Sequence, residues 1–361
     1  MASFGTQQPV AAAGQKKSIG PNDCNVPQAG TDGISSLNWS PTANFLISSN
    51  WDSGVRVWEA ACNPQNTNQP VQVQPKAQVN HENSMPVLDT CFSADGSTVF
   101  SCGADKAVRM WRLGETPPNN IPQQIGAHDK PIQSVGFLSK SNLVVSGGWD
   151  AKLKFWDTRS PTPVGEFQLP ERVYDLDVQG GLMVVATANR QVIIYDVSGP
   201  QPREHSRKES PLKYQSRCVS CFPDQTGFAI GSIEGRVGVQ YIQKIPNKDH
   251  FAFKCHRQDS NVYSVNCLAF QNVYGTFATV GSDGVVTFWD KDNKQRLKAF
   301  PAIGQTIPCA AFNAQGNMFA YASSYNWSKG SQFYSPGSTP NEIYVHYTPE
   351  DEIKPKAAKK K

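Results

Sequence analysis

The chain reads as an all-β protein, a seven-bladed β-propeller, on three observations. An acidic turn residue and a following aromatic recur at one spacing: Asp52 and Trp58, Asp105 and Trp111, Asp150 and Trp156, Asp283 and Trp289. Asn189 and Tyr195 keep that spacing with softer residues, and Glu234 and Gln240 keep the place without the aromatic. Between acid and aromatic the apolar residues alternate, as Leu153 and Phe155 do, which puts them on one face of a strand. The 28 Gly and 26 Pro punctuate short runs, and helical periodicity is almost absent.

The unit is clearest in Gly147-Gly148-Trp149-Asp150-Ala151-Lys152-Leu153-Lys154-Phe155-Trp156-Asp157, with Ala127-His128 upstream. A His before the first strand, an Asp in the turn before the third and a terminal Trp-Asp outline a WD40 repeat. An imidazole can donate from one nitrogen and accept at the other. His128, Asp150 and Trp156 are therefore expected to form a structural network. A catalytic His/Asp pair is the sharper alternative, but the same spacing recurs in units that carry no further chemistry. The repeat signatures fall at residues 33–60, 86–113, 131–158, 172–197, 217–242, 264–291 and 307–348. Their spacing brackets the ~40–45 residues of such repeats. A length of 361 residues would otherwise suggest two or more domains, but propeller blades share one closed core.

Taken in order, residues 1–21 have little to bury and are expected to be disordered. Residues 22–29 are the candidate outer strand of the last blade, closing the ring and hiding a sheet edge. Blade one runs through Ile34, Leu37 and Trp39 to Val55, Val57 and Trp58, and its Gln- and Pro-rich linker is expected to hold an outer strand at 71–73. Blade two repeats the scheme around Val87, Leu88 and Phe92, and 116–122 is a Pro-rich loop. Blade three is the most regular. In blade four Asn189-Arg190 replaces the acidic turn, and 201–213 reads as surface loop plus outer strand. Blade five is followed by a long connection, 246–260, carrying Phe251, Phe253 and His256. Blade six is regular, whereas blade seven is interrupted by a polar loop at 324–340, long enough to be functional or a tolerated insertion. The propeller is thus expected over 22–349, with a basic tail at 350–361.

The formal net charge is only +4, so the body is not a strongly basic nucleic-acid binder, but five lysines fall between Lys354 and Lys361. Nine scattered cysteines, an odd number without an apolar leader, read as reduced thiols of a nucleocytoplasmic protein. Cys218 and Cys221 form a lone C-x-x-C, with no second pair or nearby His to complete a metal site, so no metal or other cofactor is expected. No stretch approaches the ~18 apolar residues of a membrane span.

Catalytic motifs are missing from the sequence. No Ser sits in a G-x-S-x-G elbow, no Gly-rich loop precedes a helix, no His pair has metal-ligand spacing, and the acids mostly occupy turn positions. The chain reads as non-enzymatic and without a small-molecule substrate. Two binding candidates stand out. Arg236 follows the turn residue Glu234, where other units carry Gly54, Ala107, Lys152, Gln191 and Val285. Arg at a strand entrance on the propeller face can hold a partner carboxylate bidentately, or it can close a local salt bridge with Glu234. The second candidate is the group Phe253, Trp289, Lys291, Lys294 and Arg296. Aromatics interleaved with cations suit single-stranded nucleic acid, though a solvated turn beside a buried Trp289 reads equally well. The lysine tail is either an import or RNA-binding aid or a solubilising end.

Several longer strings carry a resemblance. They are Gly231-Ser232-Ile233-Glu234-Gly235-Arg236-Val237, Phe253-Lys254-Cys255-His256, Phe288-Trp289-Asp290-Lys291-Asp292 and Ser324-Tyr325-Asn326-Trp327-Ser328-Lys329-Gly330. Together they resemble the mRNA-export WD40 family, over roughly residues 33–361. The resemblance implies a nuclear-pore propeller that binds the GLEBS segment of an FG-repeat nucleoporin, with Arg236 meeting that segment's acids. It also implies RNA association around Trp289 and Lys291, and a location in the nucleus and at the pore with cytoplasmic shuttling. A spindle-checkpoint WD40 family, whose members bind GLEBS-like segments of checkpoint kinases, shares the Ile-Glu-Gly-Arg string and is the alternative. The 325–330 string and the basic tail favour the export family.

Overall fold

Alternating strands form four-stranded blades here because each middle strand can bury both of its faces between neighbouring blades. A computed structural model describes residues 18–114, 121–328, 330–334 and 341–356. Seven four-stranded antiparallel sheets make the ring. Blade one holds Ile34–Trp39, Phe45–Asn50, Gly54–Cys62 and Val71–Asn80. Blade five holds Ser216–Cys221, Gly227–Ser232, Arg236–Tyr241 and Phe251–Lys254, and blade six Val265–Phe270, Phe277–Gly281, Val286–Asp290 and Gln295–Ala299. The first strands of successive blades touch around a central channel, and that of blade seven touches that of blade one. Second strands such as Leu182–Thr187 and Met318–Ser323 are buried at every residue, whereas the outermost strand Arg203–Glu209 is largely exposed.

The first strands of blades one to six carry a register shift at the same place, between Ile34 and Ser36, Val87 and Asp89, Ile132 and Ser134, Val173 and Asp175, Ser216 and Cys218, and Val265 and Cys267. Such bulges add local twist and re-aim side chains. Just beyond them lie polar residues that bridge the innermost strands of adjacent blades. Asp89 accepts from the Val135 N–H at 3.0 Å and the Ser134 hydroxyl at 2.8 Å. Asp175 and Asp177 accept from the N–H groups of Val219 and Cys221 at 2.8 and 2.6 Å. Asn266 Nδ2 donates to Ile307 O at 2.9 Å. These carboxylates line the channel, in addition to the turn acids Asp52, Asp105, Asp150 and Asp283. Burial pushes Asp89 up to about 6 and Asp175 well above the usual carboxylate range.

Blade seven, Ala310–Phe312, Met318–Ser323 and Glu342–Tyr347, takes its outer strand from Cys24–Asn25 at the other end of the chain. Residues 1–17 of the segment expected to be disordered, most of the 116–122 loop and 335–340 lie outside the described residues. Ile19, inside that segment, is 5 % exposed among Phe300, Tyr321 and Ile353, so burial begins earlier than composition suggested. The basic tail opens with a short helix, Glu350–Ile353, that buries Ile353. Cys218 and Cys221 stand an odd number of residues apart on one strand and face opposite neighbours, their thiols directed at Val265 O and Asp177 O. Among the described residues no helix is long and apolar enough to cross a membrane.

Candidate functional site

The His, Asp and Trp of blade three meet through a fourth residue. His128 Nδ1 lies 3.0 Å from Asp150 Oδ1, and its Nε2 lies 2.8 Å from Ser146 Oγ. Trp156 Nε1 donates to the same hydroxyl at 2.8 Å. One proton order satisfies all four groups: indole to serine, serine to Nε2, and Nδ1 to carboxylate. Burial holds His128 below its usual pKa, which keeps the ring neutral. Burial is also the largest influence on Asp150 and raises it, but the His128 contact and the Asp129 and Lys152 N–H bonds together lower it. Blade six repeats the arrangement with His256, Asp283, Thr279 and Trp289, and blade two has His81, Asp105 and Ser101. The sequence pattern missed the hydroxyl residue. Its signal is a Ser or Thr at one fixed place before the turn acid, at 101, 146 and 279. With every polar atom turned inward, these networks pin strands together.

Arg236 opens the third strand of blade five, just after the turn Ile233-Glu234-Gly235. Gly235 is required there: φ is +59°, and a Cβ would stand 2.7 Å from Cys255 O. The Glu234 carboxylate accepts the Lys213 N–H at 3.0 Å through Oε1, and Arg236 Nε pairs with Oε2 at 3.6 Å, an ion pair too long for a hydrogen bond. Arg257 Nη2 donates to the Glu234 carbonyl at 2.6 Å and stiffens the turn. Lys254 sits directly opposite Arg236 in the ladder, so two cations share one face. Arg236 keeps 34 % of its side chain exposed, whereas Arg56 is held by Asp52 through two hydrogen bonds at 2.9 and 2.8 Å. Exposed apolar side chains stand on the same end of the blade. Ile233 is in the turn, Tyr214 in the connection from blade four, and Val262 in a small hairpin formed by Arg257–Gln258 and Asn261–Val262. Trp51 and Trp149, in the corresponding turns of blades one and three, flank the channel mouth with Trp327, Arg172 and Arg217.

The second candidate group divides. Trp289 donates its indole N–H to Thr279 at 3.0 Å, and its ring lies 4.6 Å from that of Phe253. These rings are partly buried in the blade five and six core, so their faces are largely spent on each other. Lys291 is 4 % exposed, its Nζ 2.9 Å from Asp292 Oδ2 and 4.9 Å from the Phe222 ring centroid. This corrects its reading as a solvent-facing phosphate contact: the turn folds the ammonium back over an aromatic. Lys294 and Arg296 are exposed, with Lys294 Nζ 4.9 Å from the centroid of the Phe251 ring. The described part of the 324–340 loop lies at the channel mouth. Trp327 packs 6.3 Å from Trp51, and Tyr334 donates to Asp32 at 3.3 Å.

Comparison with known proteins matches the WD domain, G-beta repeat family at residues 24–59, 74–112, 120–157 and 248–290. The chain is 44% identical to Protein RAE1 of Arabidopsis thaliana over 356 residues, covering 99% of this chain and 97% of that protein. It is 42% identical over 344 residues to the Poly(A)+ RNA export protein of Schizosaccharomyces pombe, covering 93% and 94%. To the mRNA export factor of Xenopus tropicalis it is 46% identical over 354 residues, covering 93% and 92%. Likeness of this extent, across all seven blades of one ring, places the chain in the mRNA-export WD40 family.

Proposed function

We propose that this chain is a non-enzymatic adaptor in mRNA export that docks at the nuclear pore by binding the acidic GLEBS segment of an FG-repeat nucleoporin. The observation that carries this reading is Arg236, a partly exposed cation at a rigid turn, paired with Glu234 only at 3.6 Å and without a hydrogen bond, with exposed Tyr214, Ile233 and Val262 on the neighbouring segments. A guanidinium so placed offers two parallel N–H donors to a peptide carboxylate, while Tyr214, Ile233 and Val262 cover the peptide's apolar residues. The export role is supported by the relatives named mRNA export factor and Poly(A)+ RNA export protein. RNA is a second ligand, contacted weakly through Lys294 and Arg296, whose charges face solvent. The setting is the nucleus, with shuttling to the cytoplasm.

The test is a capture from nuclear extract with wild-type and Arg236→Glu baits of equal thermal stability. Wild type should retain an FG-repeat nucleoporin and polyadenylated RNA, and the variant should lose the nucleoporin. Equal recovery of the nucleoporin by both baits would overturn the reading.

A further inference from the structure

The two ends of the chain meet on a single side chain. His346, in the strand Glu342–Tyr347, has Nδ1 2.6 Å from Asp23 Oδ1 and Nε2 2.9 Å from Glu352 Oε2. Asp23 directly precedes the closing strand Cys24–Asn25, and Glu352 lies in the terminal helix Glu350–Ile353. Ionised carboxylates only accept, so an imidazole that satisfies both must donate from both nitrogens and carry its proton. The three side chains are nearly out of solvent, at 11 %, 1 % and 12 % exposure for His346, Asp23 and Glu352. The Phe300 ring of blade six closes the site edge-on at 5.3 Å. The other groups facing it serve the same junction. Tyr321 donates to Asp23 Oδ2 at 2.7 Å, Gly20 N–H reaches that oxygen at 2.9 Å, and Lys298 Nζ lies 3.4 Å from Glu352 Oε1.

The closing strand itself holds little. Only Cys24 and Asn25 are in register with the ladder, and the Val26 N–H adds one bond to Ile343 O at 2.8 Å. Ile19 and Ile353, from opposite ends, are buried in one cluster with Phe300 and Tyr344, and the His346 contacts seal that cluster. We propose that His346 is a proton-operated clasp: as an imidazolium it fastens both ends of the chain to the last blade, and on losing its proton it lets the terminal helix and the segment around Asp23 loosen from the ring. Burial opposes the charge, but the two carboxylates outweigh it and lift the pKa to about 9. A pKa raised on folding gives stability that is fully present below the unfolded value of about 6.5 and lost as pH rises through the folded value. The clasp is therefore shut at neutral pH and opens in alkali, independently of what the turn face binds.

The experiment uses the full chain. The His346 imidazole is titrated by heteronuclear NMR, and amide hydrogen exchange is followed between pH 7 and 10, corrected for the intrinsic rate. His346 should titrate above pH 8. Exchange in 18–26 and 350–356 should rise about tenfold or more across that step, as each pKa unit of coupling implies, while blades two to four stay protected. His346→Gln should show the open rates already at pH 7, with no further step. If that variant does not fold, Glu352→Gln, which removes one of the two carboxylates, should lower the imidazole pKa by about a unit and free the helix first. An imidazole titrating near 6.5, or ends equally protected at both pH values, overturns the proposal.

Discussion

A single hydroxyl shows how much one residue decides. Ser146 joins Trp156 to His128, and the sequence pattern passes over it because a serine in an alternating strand looks like any outward polar residue. Its burial comes from the neighbouring blade, which local periodicity does not encode. Asp150 was legible because its turn position recurs. Asp150→Ala should lower stability by about 1–3 kcal/mol, since His128 Nδ1–H is left buried without an acceptor. An unchanged melting temperature would contradict the network. Lys291 gives the opposite lesson. Its place in a charged run suggested solvent, yet the turn places its ammonium over Phe222. Lys291→Ala should therefore lower the melting temperature. Lys294→Ala with Arg296→Ala should leave it alone and flatten the salt dependence of single-stranded RNA binding by roughly 0.7 in log–log slope per cation removed. A double variant with the wild-type slope would move the RNA contact elsewhere.

At the scale of elements, the strand boundaries were read from alternation, and the closing strand from the need to pair the last blade's free edge. Ile19 was not legible, because an isolated isoleucine in a Gln- and Gly-rich segment has no periodic company. Its partners Phe300, Tyr321 and Ile353 are all distant in sequence. Deleting residues 1–20 should cost about 1.5–3 kcal/mol, the value of burying one such side chain. Deleting residues 1–30 should cost clearly more, because it also removes Asp23, the strand Cys24–Asn25 and Val26. Melting curves check both. A 1–20 deletion that melts like the intact chain would show that Ile19 contributes nothing to closure.

At the scale of the whole molecule, the ring is stitched around its channel by carboxylates that turn reasoning did not foresee. The bulges that aim them recur at one place in the first strands, across residues of different type. Their cost has a sign. Asp89 is lifted by burial to about 6, so the folded state keeps a proton that the unfolded chain releases near pH 4. Its contribution is full below about pH 4 and is lost as pH rises through 6. Asp89→Asn should remove that fall, seen as a flatter melting temperature between pH 4 and 6.5, and an identical slope in both proteins would count against it. The turn face is assembled within blade five, whose incoming connection, turn and outgoing hairpin carry Tyr214, Ile233 with Arg236, and Val262. Which Arg sits at the turn could be read from the sequence. That its pair with Glu234 is long, at 3.6 Å and without a hydrogen bond, could not. The most direct measurement is calorimetric titration of a GLEBS peptide into wild type and Arg236 variants, with melting curves alongside. Arg236→Ala should weaken binding by about 2–4 kcal/mol by leaving the peptide's acid desolvated and unpaired. Arg236→Lys should recover part of that, because a point charge cannot reproduce the fork. Arg236→Glu should bind least of all, with thermal stability nearly unchanged throughout. An Arg236→Glu protein that binds the peptide as tightly as wild type, or that fails to fold, would contradict the account.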